Sequence, residues 1–201
     1  ERNQVSLEPG STVTLGVNLV NRSSTPGRFR LSLEGVPNTW VSINPELVQL
    51  EPEEQKPATV TIRPPRSPQS RAGRYPLILR AIGQQGVMGT AEARATLSLG
   101  VFTRFTSELL TRRVRSGENV QLTISNQGNA PETFTILTRD PAGELEFDPP
   151  QAQIRLEEGQ SGMAELKPRL RTPRLVGAEA SHPFRIQVAS ANGEMQVHTG
   201  E

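Results

Sequence analysis

The chain has 201 residues, 34% hydrophobic and 4% aromatic, a supply that suits two domains of about 100 residues with modest aliphatic cores. Its 22 basic and 21 acidic residues leave a formal net charge of +1, which gives no electrostatic footprint for nucleic acid or an anionic membrane. The lack of cysteine excludes disulfides, thiolate metal sites and cysteine nucleophiles, and no apolar run approaches the ~20 residues of a membrane helix.

In chain order, Val13, Leu15, Val17 and Leu19 alternate with Thr12, Thr14, Gly16 and Asn18. Successive strand residues point to opposite faces, so this period of two predicts a strand buried on one side. Phe29, Leu31 and Leu33 repeat the pattern, as do Ala58, Val60 and Ile62, and then the run from Ala91 to Leu99. Beyond Phe102 come Val120, Leu122 and Ile124, then Phe134 and Ile136, Ala164 and Leu166, and finally Phe184, Ile186 and Val188. Turn chemistry separates the runs at Pro9-Gly10, Thr25-Pro26-Gly27, Gly35-Val36-Pro37-Asn38, Ser116-Gly117 and Gln127-Gly128-Asn129, with a further hairpin loop at Gly83 to Gly86. No window has the period of an amphipathic helix. Many short strands with one apolar face predict an all-β protein of two tandem immunoglobulin-like β-sandwich domains.

The two halves are copies. Asn21, Pro26 and Phe29 recur 105 positions later as Asn126, Pro131 and Phe134. Ile43-Asn44-Pro45 answers Phe147-Asp148-Pro149, and Leu50-Glu51-Pro52-Glu53 answers Leu156-Glu157-Glu158-Gly159. Pro76-Leu77-Ile78-Leu79 answers Pro183-Phe184-Arg185-Ile186. The expected domains are residues 1–101 and 102–201. No Ser/Gly-rich or Pro-rich linker separates them, so a short, stiff joint is expected around Gly100 to Phe105. The abrupt start at Glu1 and the short last strand of copy two, Met195 to Glu201, suggest a fragment of a longer protein.

Several strings resemble a known repeat. They are Asn21 to Gly27, Leu33-Glu34-Gly35-Val36-Pro37-Asn38-Thr39-Trp40-Val41, Asn44-Pro45, Val48 to Pro52, and Ile62 to Pro68 with Ala72 to Tyr75. Together they resemble the bacterial and archaeal immunoglobulin-like repeat related to the CARDB adhesion module and to the sandwich domain associated with some α-galactosidases. Copy two keeps the framework but has Asp140 to Leu145 in place of the Gly-x-Pro-x-x-Trp segment. The resemblance implies spacer or adhesion repeats of large envelope or secreted proteins, and brings no catalytic residues with it. Nothing in the sequence sets a limit against a cytoplasmic location.

Chemistry is sparse. A Ser-His-Asp triad would have to draw on His182, His198, Asp140 and Asp148, all in copy two. No Asp-x-Asp or Asp-x-Asn pair offers a calcium loop, and no metal or cofactor is called for. The Glu51, Glu53, Glu54 group and the Glu157, Glu158 pair share one loop position, where a solvated turn is weighed against a cation site. All but Lys56 and Lys167 of the basic residues are arginine, and the densest run is Arg112-Arg113-Val114-Arg115. It reads as an edge strand using charge to deter pairing, as a pair for acidic groups at the domain joint, or as a contact for an anionic partner. Trp40 reads as closing one end of a core, or as a ring for stacking on sugar. The Pro-rich segments Pro64 to Pro76 and Pro168 to Pro183 occupy the same place in both copies and read as crossovers between sheets.

Trp40, Arg112, Arg113 and Arg115 are therefore the candidate contact residues. The expected role is a non-enzymatic structural or protein-interaction module whose partner is another protein or flanking domains of the same chain. Membrane contact would come only through segments outside this chain. The competing reading is a carbohydrate-binding accessory of a secreted or envelope enzyme.

Overall fold

The computed structural model describes residues 4–84, 89–115, 117–172 and 180–201. Gln85 and Gly86 of the predicted hairpin, Ser116 of the predicted turn and the middle of the Pro168 to Pro183 segment lie outside them. The chain divides into two compact units, Glu1–Phe102 and Thr103–Glu201. Among the described residues there is no α-helix, and only one turn of 3-10 helix at Asn38–Trp40. The protein is all-β, with an immunoglobulin-like sandwich in each unit.

Unit 1 contains β1 (Gln4–Leu7), β2 (Val13–Val20), β3 (Gly27–Glu34), β4 (Val41–Asn44), β5 (Leu47–Leu50), β6 (Gln55–Ile62), β7 (Gly73–Gln84) and β8 (Thr90–Leu99). One sheet runs β1-β8-β7-β3-β5 and the other β2-β6-β4. All pairs are antiparallel except β1 on β8, which is parallel. The segment from Pro64 to Ala72 carries the chain from β6 in one sheet to β7 in the other, as the crossover reading requires. It is compact: the Ser70 hydroxyl donates to Pro65 O at 2.6 Å, and Gly10 N donates to Pro64 O at 2.8 Å.

Unit 2 contains β9 (Phe105–Leu109), β10 (Val120–Asn126), β11 (Glu132–Arg139), β12 (Leu145–Asp148), β13 (Gln151–Leu156), β14 (Ser161–Leu170), β15 (Phe184–Ser190) and β16 (Met195–Gly200). Its sheets run β12-β14-β10-β9 and β13-β11-β15-β16. In both units one short strand pairs in one sheet and the next crosses to the other, with a cis X–Pro bond between them at Asn44–Pro45 and Asp148–Pro149.

The alternation predicted from sequence fills the space between sheets. Leu31, Leu33, Val60, Ile62, Leu77, Leu97 and Leu99 are buried in unit 1, in two neighbouring clusters. Unit 2 has a single larger cluster that contains Phe105, Phe134, Phe147 and Phe184. Its rings meet in pairs, Phe105–Phe134 at 5.0 Å and Phe147–Phe184 at 5.4 Å between centroids. Such pairs contribute roughly 0.5–1.5 kcal/mol beyond their area burial.

One turn is built twice from the same parts. Asn21 is buried, donates its side-chain amide to Thr25 O and Leu50 O at 2.9 and 3.2 Å, and accepts from Ser23 N. Asn126 donates to Ala130 O, Leu156 O and Glu157 O at 3.0, 3.1 and 3.2 Å, and accepts from Gly128 N. The main chains of both asparagines clasp the opposite turn, through Glu53 N and Glu54 O in unit 1 and Gly159 N and Gln160 O in unit 2. Glu54 then accepts from Glu51 N, as Gln160 accepts from Glu157 N. The shared glutamate positions are thus a hydrogen-bonded turn. Among the described residues no group of three His, Asp or Glu side chains is placed to hold a metal ion.

Candidate functional site

The 3-10 turn places Trp40 inward. Its ring is 6% exposed, meets Tyr75 edge-on at 5.9 Å, and packs among Leu33, Val60, Ile62 and Leu97. Gly35, five residues before Trp40 in the segment that starts this turn, has φ +105°, and a Cβ there would lie 1.9 Å from Pro76 O. Only glycine fits, which explains the Gly-x-Pro-x-x-Trp spacing: the backbone must pass against β7 before the indole can enter the core.

The arginine cluster corrects the edge-strand expectation. Residues 112–115 form no strand; they are irregular chain that holds the end of β16. Val114 N donates to Glu201 O at 3.0 Å, and Glu201 N donates to Arg112 O at 2.8 Å. Arg113 pairs with the Glu201 carboxylate, and Arg115 N donates to Glu118. Val114 is turned into the core while the three arginine side chains are exposed. Alternation placed Val114 correctly; what the spacing could not show is that the main chain on either side of Arg113 bonds with Glu201.

The residues a triad would need are distributed differently. His182 Nδ1 lies 2.6 Å from Glu144, and Asp148 lies 3.4 Å from Arg169. The Asp140 carboxylate is spent on its own turn, accepting from Ala142, Glu144 and Leu145 N–H groups. His198 Nε2 is 2.7 Å from Ser107 Oγ, a contact that sequence spacing gave no reason to expect. Ser107 N and Oγ both donate to Gln196 Oε1 at 2.8 Å, and Gln196 Nε2 donates to Phe105 O at 3.0 Å. Burial, then the nearby Arg112, lowers the His198 pKa from its ordinary value, which favours neutral imidazole. No carboxylate hydrogen-bonds His198 among the described residues. The arrangement is a polar seam tying β9 to β16 rather than an oriented nucleophile.

The outer faces distinguish the units. In unit 1, Ser32, Arg80 and Glu92 stand in one cross-strand row. Arg80 binds Glu34 at 2.6 Å and Glu92 at 2.8 Å, and Arg94 reaches Glu92 at 3.5 Å. The matching row in unit 2 is Leu137, Gln187 and Val197, with Thr135, Ala189 and Met195 beside it. Met195 and Val197 are 52% and 56% exposed. An ion-pair network in one copy is replaced by an aliphatic and thioether surface in the other. The sequence contained this difference, but residue pairing across β11, β15 and β16 was needed to align it.

No protein-family model and no curated protein matches the chain. Among solved structures, the Pseudomonas aeruginosa CupB2 chaperone is similar, at 11% identity and TM-score 0.34 over 98% of this chain and 97% of that one. The YadV chaperone aligns at 9% identity and TM-score 0.33, covering 100% and 96%. A Porphyromonas gingivalis W83 protein of unknown function aligns at 13% identity and TM-score 0.36, covering 100% and 97%. At these identities and scores no role passes from those proteins to this chain. The sandwich class rests on the strand pairing itself. No helix among the described residues is long and apolar enough to cross a membrane.

Proposed function

We propose that the chain is a non-enzymatic protein-interaction module, a pair of immunoglobulin-like sandwiches acting as spacer or adhesion-type repeats in a larger bacterial envelope or secreted protein. The observation that carries this reading is the Leu137, Ala189, Met195, Val197 surface, in which Met195 and Val197 are exposed and Leu137 and Ala189 partly so, where unit 1 has ion pairs. Contiguous exposed apolar side chains mark contact surfaces, whereas isolated ones are ordinary. The resemblance to CARDB-type repeats supports the same reading.

A protein partner suits this surface better than a glycan. Sugars are held by exposed rings, and Trp40, the one indole, is committed to the unit 1 core. Methionine and aliphatic side chains adapt to another protein's apolar residues. The exposed Arg112, Arg113 and Arg115 would add an acidic preference at the far end of β16, with Arg113 already partly neutralised by Glu201.

A photo-crosslinking residue at Val197 of the full chain tests the reading in cells of the source organism. One protein of defined identity should be captured there, and none from a control position at Glu165, exposed on β14 in the other sheet. Met195→Asp should weaken binding of that protein at least tenfold, equivalent to about 1.4 kcal/mol. Retention of the wild type on polysaccharide, unchanged by Met195→Asp and with no specific crosslink, would overturn it in favour of the carbohydrate-binding alternative.

A further inference from the structure

The row beside the apolar surface of unit 2 carries charge of one sign. Along β11, β15 and β16 the next outward positions are Arg139, Arg185 and Thr199, and the two arginines are direct partners across their strands. All three side chains are exposed. Like charges set opposite each other on antiparallel strands destabilise a sheet. The framework does not demand them. Through the repeat, their counterparts in unit 1 are Glu34 and Ile78, also direct partners, and there Arg80 binds Glu34 at 2.6 Å.

No carboxylate on this face answers the arginine pair. β11, β13, β15 and β16 contain one acidic residue, Glu132, and it is buried. Just past the end of β16, the Glu201 carboxylate is taken by Arg113 and by the Ser181 hydroxyl. Arg155, at the far corner of the sheet on β13, lies 3.9 Å from Glu157. The strands of this face thus present positive charge beside Leu137, Ala189, Met195 and Val197, with no outward acid among them.

We propose that this face receives a strand of another protein that carries an acidic residue followed by apolar ones at alternate positions, its carboxylate between Arg139 and Arg185. This preference rests on the protein-interaction reading above and names the partner's chemistry. Alternate residues of an extended chain lie about 6.8 Å apart. The same step leads from the arginine row to Leu137 and Val197, and from there to Ala189 and Met195. Packed sheets keep their strands nearly aligned, so one strand laid along β11 and β15 sets its acid over the arginines and its next inward side chains over the apolar rows. The planar guanidinium fork matches a carboxylate, and binding one relieves the repulsion between the pair. The counterpart face of unit 1 in a second copy is a poorer occupant, because Arg80 already binds its Glu34 and Glu92.

The test uses the full chain, labelled for NMR, and a synthetic peptide in which threonine alternates with glutamate, valine and leucine, in that order. At ~1 mM peptide, a concentration suited to a weak single-strand contact, the amides of Leu137, Gln187 and Val197 should shift. Those of Thr123 and Glu165, in the other sheet, should not. A peptide with glutamine in place of glutamate should bind about tenfold more weakly. In the double variant Arg139→Gln, Arg185→Gln both peptides should bind alike, and added salt, which screens the wild-type contact, should have no effect. That variant should melt no lower than the wild type, since it removes a like-charge pair. Met195→Gln, which adds no charge, should weaken both peptides. Equal binding of the two peptides by the wild type would overturn the acidic preference and leave the apolar contact surface standing. A lower melting temperature of the double variant, with no change in its peptide preference, would assign the arginines a structural role instead. No response to either peptide, or one that Met195→Gln leaves unaltered, would also overturn the proposal, while the crosslink at Val197 judges the broader reading separately. Self-association seen by sedimentation and lost in the double variant would replace the partner strand with a second copy.

Discussion

Two asparagines carry much of the architecture at the scale of single residues. Each is buried, at 2% and 0% exposure, and spends its amide on the carbonyls of its own turn and of the facing strand end. Removing such a side chain leaves buried carbonyls without donors, at about 1–3 kcal/mol. Asn126→Ala, which loses three acceptors, should therefore lower stability more than Asn21→Ala, which loses two, in denaturant unfolding followed by unit-specific NMR signals. Equal losses would mean the third contact, to Glu157 O, contributes no more than the Ser23 Oγ donation that Asn21 alone accepts. The sequence displayed both asparagines through the 105-residue repeat, but gave no sign of their partners, because these carbonyls lie up to 31 residues away.

Secondary elements followed the period of two closely. Every alternating run from Val13–Leu19 to Phe184–Val188 lies within a strand, because side-chain alternation and a half-buried sheet impose the same spacing. The elements that departed are those whose bonding is not periodic. Residues 112–115 answer to the end of β16, and the β9–β16 seam depends on Ser107, Gln196 and His198, some 90 residues apart in sequence. Pairing over such separation leaves no mark in a local pattern. The outer face of unit 2 was hidden for the same reason, since Leu137, Ala189 and Val197 become neighbours only through strand register.

Across the whole chain, the same framework encloses two unequal cores. Unit 2 packs one continuous cluster with four phenylalanines, and unit 1 divides a sparser set into two clusters with β2 half-covered. Opening free energies rise with local apolar burial. Native-state hydrogen exchange should therefore show β6 and β7 amides opening at lower free energy than those of β14 and β15. The reverse order would mean that covering β10 with β9 adds little. The fold class was readable from composition and alternation, whereas this inequality was not, because it depends on which strand each edge retains.

The twin turns also separate the copies chemically. Where unit 1 closes its turn with a carboxylate, unit 2 uses a carboxamide, which does not titrate. The Glu51 N–H, then Lys56, holds the Glu54 carboxyl below its ordinary pKa. A depressed pKa in the folded state gives stabilisation that is complete above the ordinary carboxylate range and lost as pH falls through the folded value. Acid should therefore loosen the turn of unit 1 and spare that of unit 2. Glu54→Gln should remove the difference, read as amide exchange at Glu51 and Glu157 between neutral pH and pH ~3, below the ordinary carboxylate range; an unchanged Glu51 profile would contradict it. One side-chain oxygen exchanged for nitrogen makes the second copy a built-in acid-resistant edition of the first.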